Sequence, residues 1–433
     1  MFRNRFLHNS ILILLVSAIF SACVEEIEID TLNENDSSTL VVEAVLTNEA
    51  IIQKVYLSRS SNRLDLETDT IYNPYIPLGT RPFDSVDWEI GASVKLQSEN
   101  GEEYIFTESE DGIYHSNSPF ALQMGVNYTL DIKRNNGQEY ISDAITIQGT
   151  SRITNVYAEK AENDSGEEGI AIYVDSEPLE GNTEYFKYTY AETYKIVAPL
   201  WQNFEFELTN YDGIDDVVDY DLEVVEKEKE DRICYNTVSS NTIDVLSTAG
   251  VSEGNVSKHK VRFITKDNFI IAQRYSILVQ QQVQSADANS FYKILQSFSQ
   301  SDNVFSQIQP GAIYANVHRK DGAFENVYGQ IEAVGVANKR IFLNYEDFFP
   351  EEIPPFAFNC GFETAKLFNF PTDRCPQGLL ERIDKATVSY YSDYNEGLVP
   401  DASCPGPYIF VPRICGDCTL LGSNIVPDFW MEE

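Results

Sequence analysis

Residues 92–108 read ASVKLQSENGEEYIFTE. Val94 and Leu96 alternate with Ser93, Lys95 and Gln97, the period of two that a half-buried strand requires. After a break, Tyr104 and Phe106 resume the pattern. Between the runs stands Asn100-Gly101, and both residue types tolerate the positive φ of a tight hairpin turn. The stretch predicts a β-hairpin. Residues 127–147, NYTLDIKRNNGQEYISDAITI, repeat the design around Asn136-Gly137 and place Tyr128, Leu130 and Ile132 on one face.

Upstream, TLVVEAVLTN (39–48) and QKVYLSRS (53–60) supply further β-rich runs. Short strands at this spacing predict a β-sandwich over residues 39–149. The run 111–132, DGIYHSNSPFALQMGVNYTLDI, resembles the end of immunoglobulin-like and transthyretin-like modules of bacterial surface proteins. One segment breaks the rhythm. From Asn62 to Glu89 no strand pattern is visible, and Tyr72, Tyr75, Phe83 and Trp88 lie among Pro74, Pro77 and Pro82. A loop this long is a candidate ligand-contact loop, because aromatic rings can stack on a sugar or grip a peptide. The competing expectation is that these rings fold back over a sandwich edge.

Residues 150–433 read as a second, larger β-rich domain. In TEYFKYTYAETYKI (183–196), Phe186, Tyr188 and Tyr190 alternate with Tyr185, Lys187 and Thr189, giving a strand with two usable faces. KVRFITKD, RYSILVQQQVQ, GAIYANVHRK and KRIFLNY are further strands. One amphipathic helix is expected over 286–300. Phe291, Ile294, Leu295 and Phe298 share a face that is expected to lie in the core, and Ser285 can cap the helix start.

Composition narrows the function. The formal net charge of −37 argues against nucleic acid, which calls for clustered Lys and Arg, and against docking on an anionic bilayer. No HExxH, GxSxG or phosphate-binding glycine loop is present, and the histidines His115, His259 and His318 are far apart. No catalytic residues, metal site or cofactor are therefore assigned, and the chain is read as a non-enzyme. The acidic runs DGIDDVVDYD (212–221) and EKEKED (226–231) lack the calcium-loop pattern and read as solvated loops.

The amino-terminal segment suggests a location. Arg3 and Arg5 precede an apolar run from Ile11 to Phe20, then Ser21, Ala22 and Cys23. A basic start, a short apolar run and small residues describe a secretory signal over 1–22. The segment resembles a bacterial lipoprotein signal, although Phe20 stands where leucine is usual. That resemblance implies lipidation at Cys23 and anchoring in the outer membrane. Residues 23–38, with Glu25, Glu26, Glu28 and Asp30, then read as an acidic tether. Acidic residues after the lipidated cysteine resemble the surface-export signal of Bacteroidota lipoproteins, which implies a location facing the cell exterior.

Six cysteines remain: Cys234, Cys360, Cys375, Cys404, Cys415 and Cys418. In an exported chain an even number predicts disulfides, with fifteen formal pairings. Cys415-Gly-Asp-Cys418 lacks the βαβ setting of a redox motif and the compact four-ligand spacing of a zinc site. The expected pairing is Cys360–Cys375, Cys404–Cys415 and Cys234–Cys418, which leaves two short loops and one long staple. The carboxyl-terminal segment is expected to be irregular and disulfide-stapled.

Four stretches resemble a Bacteroidota lipoprotein family catalogued as domain of unknown function 4249. They are LVVEAVLTN, ICYNTVSS (233–240), the strand-helix-strand run 274–343 and the ending CGDCTLLGSNIVPDFW (415–430). Relatives carry paired glycines where this chain has Gly422-Ser423. The family offers no catalytic residues to transfer. Its frequent association with TonB-dependent outer-membrane receptors implies an accessory lipoprotein that captures or presents a nutrient. A glycan or a peptide is the candidate ligand. The rival expectations are a structural or adhesive surface protein, and a hydrolase using an unrecognised carboxylate pair.

Overall fold

The computed structural model describes residues 39–60, 86–209, 221–252, 254–299, 315–368, 375, 377–400 and 402–432. The two hairpins form where the turn residues place them. Ser93–Ser98 pairs with Glu103–Glu110, and Tyr128–Lys133 with Glu139–Ser142, both antiparallel. Gly101 and Gly137 sit at φ +87° and +88°, the left-handed region that a side chain resists. The chain is mainly β, with sandwich-like sheets.

Among the described residues fourteen strands belong to one sheet. From one edge its main path runs Ile233–Ser239, Tyr185–Val197, Arg274–Val283, Tyr328–Asn344, Leu40–Thr47, Lys54–Arg59, Ile113–Ser116, Glu103–Glu110, Ser93–Ser98, Tyr128–Lys133, Glu139–Ser142 and Val317–Arg319. The amino-terminal half of this path curls back on itself. Asn316, just before the last strand, donates from Nδ2 to the Ile331 carbonyl at 2.8 Å, and its Oδ1 accepts from the Ile331 N–H at 3.0 Å. The curl encloses a core that includes Leu40, Val42, Leu57, Leu96, Tyr128 and Ile132.

A second core lies between the Tyr185–Val197 and Arg274–Val283 strands and a three-stranded sheet of Gly149–Glu162, Glu168–Gly181 and Val256–Thr265. Phe186, Tyr188 and Tyr194 point into it, as the alternation requires. The division at residue 149 does not separate the cores cleanly. Val317, Val327, Ile331 and Ala333 belong to the first core. Tyr328–Asn344, a 17-residue strand, runs from one core to the other, and Ile341 and Leu343 pack on the second.

Tyr328–Asn344 pairs with Leu40–Thr47 in parallel, bringing Val42 opposite Gly329. Gly329 has φ +97°, and a Cβ there would stand 2.0 Å from the Val42 carbonyl oxygen. Gly329→Ala should therefore cost about 1–3 kcal/mol by urea unfolding, through strain and strand displacement. A loss under about 0.5 kcal/mol, the scale of a neutral surface change, would show that the two strands separate freely.

The helix forms over Ala286–Ser299, and Ser285 Oγ accepts from the Ala288 N–H at 3.1 Å. Its buried face differs from the expected one. Ala288 and Asn289 are buried, Phe291 and Leu295 are half-buried, and Ile294 is 37% exposed; the Phe298 side chain lies outside the described residues. The reason is the surface beneath. Gln284 and Glu332 face the helix from the sheet, so polar side chains dock best. Asn289 Nδ2 donates to the Phe186 carbonyl at 3.2 Å, and Gln296 Nε2 to the Ile243 carbonyl at 2.7 Å. Glu332 accepts from Gln284 Nε2 at 2.7 Å and lies 3.6 Å from Lys187 Nζ. Burial pulls the Lys187 ammonium below the usual lysine range, against the attraction of Glu332.

The disulfides are Cys234–Cys418, Cys360–Cys415 and Cys375–Cys404. The long staple is the expected one, whereas the two short pairings are exchanged. A small sheet decides this. Glu363–Thr364 lies antiparallel to Tyr408–Pro412, with Glu363 opposite Phe410. Stepping back from Glu363 and forward from Phe410 brings Cys360 to Cys415. The two cysteines left over, Cys375 and Cys404, pair with each other. The segment is also less irregular than expected, because this sheet includes Val388–Asp393 and short helices form at Leu379–Asp384 and Arg413–Gly416.

Candidate functional site

Of the four ring-bearing loop residues, Tyr72, Tyr75 and Phe83 lie outside the described residues, as do Cys23 and most of the 212–221 run. Trp88 is described and half-buried. It pairs with Ser58, and its ring lies so close over Gly112 that a Cβ there would meet it at 2.6 Å. Next to it, buried Glu89 accepts from Arg134 Nη2 at 2.7 Å. Trp88 is thus packed on the sandwich edge. The histidines are not gathered: His259 meets Asp244 at 3.0 Å and His318 lies 3.6 Å from Asp143. Among the described residues no group of three or more His, Cys, Asp or Glu side chains has metal-site geometry.

A broad concavity adjoins the carboxyl-terminal staple. Phe204–Thr209 and Asp221–Glu226 form a separate two-stranded ribbon. Phe206 and Leu222 on one face pack toward Ala365, Leu379 and Phe410. Alternation then turns Glu205, Glu207 and Glu223 to the other face. Between the ribbon and the staple lies a groove of 860 Å³.

The floor of the groove is internally satisfied. Asp231 accepts from Trp201 Nε1 at 2.5 Å and from Lys227 Nζ at 2.7 Å. Asp417 accepts from Arg413 Nε at 2.9 Å and from the Thr419 N–H at 2.8 Å. The rim differs. Among the described residues the carboxylates of Glu205, Glu207, Glu226 and Glu228 have no bonding partner, and neither does the Lys229 ammonium. Four free carboxylates against one free cation make the rim attractive to basic groups and repellent to anions. By its composition 226–231 reads as a solvated loop. Only the ribbon pairing places Glu205 and Glu207 beside it.

Beyond Cys418 the chain forms a strap over the sheet edge. Ser423 bridges Tyr235, and buried Trp430 packs edge-on against Tyr235 and Phe342, at 4.9 and 5.6 Å between ring centroids. Phe429 lies 3.5 Å from the Arg340 guanidinium. The Glu432 carboxylate accepts from Lys195 Nζ at 3.0 Å, Tyr235 Oη at 3.0 Å and Trp430 Nε1 at 3.2 Å.

The Lys195 hydrogen bond holds the Glu432 carboxyl below the usual range, outweighing its partial desolvation, while burial and Glu432 push the Tyr235 phenol up to about 12. A depressed folded value gives a sign. The strap is stabilised above the ordinary glutamate value of about 4.3, and that stabilisation is lost as pH falls through the lower folded value. With Trp88 and Trp201 replaced by Phe, Trp430 emission should shift to the red below about pH 4. Glu432→Gln should remove that transition.

No curated protein matches the chain. A solved structure of native E. coli alpha-2-macroglobulin matches at 11% identity and TM-score 0.15, over 59% of this chain and 14% of that one. The B domain of a biofilm associated protein matches at 9% identity and TM-score 0.14, over 72% of this chain and 88% of that one. Likenesses of that size say nothing of fold or role. The profile of one family, described as Domain of unknown function (DUF4249), matches residues 24–340, well over half of the sequence. The chain belongs to the DUF4249 family.

Proposed function

We propose that this protein is a non-catalytic lipoprotein of the outer membrane, anchored through Cys23, facing the cell exterior and accessory to a TonB-dependent nutrient receptor. The observation that carries the reading is where the family match begins. It starts at residue 24, directly after Cys23. The family region thus opens where a lipid-modified chain would begin, and the acidic 23–38 segment serves as tether. Several acyl chains are needed, because one alone holds a protein only marginally. Among the described residues no helix is long and apolar enough to cross a membrane. The acidic-rimmed groove supports a capture role toward basic peptide segments, since its floor is internally satisfied while its rim carboxylates are free.

Two measurements test this. Cys23→Ala should move the protein out of the outer-membrane fraction. Mild crosslinking on intact cells, followed by affinity purification and mass spectrometry, should recover a TonB-dependent receptor in near-stoichiometric amount. Recovery of no membrane partner, with attachment lost and nutrient uptake unchanged in a deletion strain, would favour an adhesive or structural role instead.

A further inference from the structure

Behind the Glu432 carboxylate the sheet end opens into a cleft of 360 Å³, walled by Gln273, Phe349 and Pro350. An adjoining recess of 130 Å³ shares Lys195, Ala272, Gln273 and Pro354 with the cleft and adds Phe269 and Phe356. Lys195 lines both, so a single ammonium stands where an apolar recess meets an open cleft. It is held there by Glu432.

We propose that this cleft is a binding site for an amphipathic organic monoanion, a compact aryl or alkyl body carrying a carboxylate or sulfonate, and that Glu432 is its intramolecular competitor. The chemistry of the ligand follows from the group now in place. Lys195 Nζ donates to both Glu432 carboxylate oxygens, and Tyr235 Oη and Trp430 Nε1 donate to one of them, Oε1. Such a set suits any carboxylate, and charge-assisted bonds of this kind are stronger than neutral ones. The occupant is replaceable. The Glu432 side chain is 54% exposed and belongs to a terminal strap. An ion pair that exposed is worth under about 1 kcal/mol.

The recess sets the size of the apolar body. A cavity of about 150 Å³ lined by apolar side chains admits a benzene ring. Phe269 and Phe356 offer ring edges and faces for it. The surrounding charges set the ligand's valence. Glu346, Glu352 and Arg274 also line the cleft; Glu352 is partly neutralised by Lys266 at 3.3 Å, and Arg274 donates to the Met431 carbonyl at 2.6 Å and to Asn344 Oδ1 at 2.9 Å. In so acidic a chain a dianion would be repelled, whereas a monoanion can exchange one for one with Glu432 on Lys195.

The test is a fluorescence titration of the purified chain with 1-anilinonaphthalene-8-sulfonate, followed by displacement with phenylacetate and, as uncharged control, benzyl alcohol. Phenylacetate should displace the probe and benzyl alcohol should not. Glu432→Gln should tighten phenylacetate binding roughly threefold to fivefold, the scale of one part-exposed ion pair. Lys195→Met should weaken it at least about tenfold, the scale of a lost charge-assisted bond. Circular dichroism checks that each variant is folded. Displacement by benzyl alcohol as strong as by phenylacetate, insensitivity to Lys195→Met, or weaker binding in Glu432→Gln would each overturn the proposal. The site is read on the isolated protein, so its failure leaves the receptor reading standing, and the reverse holds too.

Discussion

A Cys234→Ala/Cys418→Ala chain should lose about 4–5 kcal/mol of unfolding free energy, read as a lower denaturant midpoint with a steeper slope, because the unfolded chain freed of the cross-link exposes more surface. The cysteines are 184 residues apart. Cross-linking so long a loop removes more conformational freedom from the unfolded chain than either of the other two disulfides, which span 55 and 29 residues. Both cysteines are fully buried in the second core, so the link also anchors the strap's origin. The bridge between Tyr235 and Ser423 should then loosen, exposing the end of the chain to protease. A loss below about 1 kcal/mol would mean that the unfolded chain is already constrained without this staple, and the loop-entropy account would fail.

Arg262→Met is the second large effect, at about 3–5 kcal/mol. Arg262 donates from Nε and Nη2 to the two Glu192 oxygens at 3.0 and 3.1 Å, and Tyr275 Oη donates to the same carboxylate at 2.7 Å. The Glu192 side chain is only 7% exposed. Removing the guanidinium strands a buried charge between the two sheets of the second core. Burial pushes the Tyr275 hydroxyl far above its ordinary range, so that group stays protonated as donor. Glu192→Met/Arg262→Met should recover most of the loss, because an apolar pair of similar volume can replace a buried ion pair. If the double change costs as much as the single one, packing rather than charge pairing holds these sheets together, and the electrostatic argument is wrong.

The hairpins around Gly101 and Gly137 were legible in sequence because both signals are local. Alternation and turn chemistry act within a few residues. The helix was legible in extent but not in orientation. Its apolar stripe of Phe291, Ile294 and Leu295 was plain, yet what a helix buries depends on the surface below. That surface, with Gln284 and Glu332, is assembled from separate strands. The candidate site was less visible still. Trp88 could be named but not seen packed on Gly112. Glu205 and Glu207 gave no sign of sharing a rim with Glu226 and Glu228. Neither Lys195 nor Glu432 stood out, because each is an ordinary charge until the strap brings them together.

Local sequence patterns alone specified the β class, the hairpins, the helix boundaries and the family. Each rests on short-range periodicity, on turn residues or on a pattern shared with relatives. Tertiary structure alone decided the parallel pairing of Val42 with Gly329, the exchange of the two shorter disulfides and the clefts around the strap. Those depend on which distant segments lie side by side. That choice is settled by the free energy of burying both cores at once, and no local pattern encodes it.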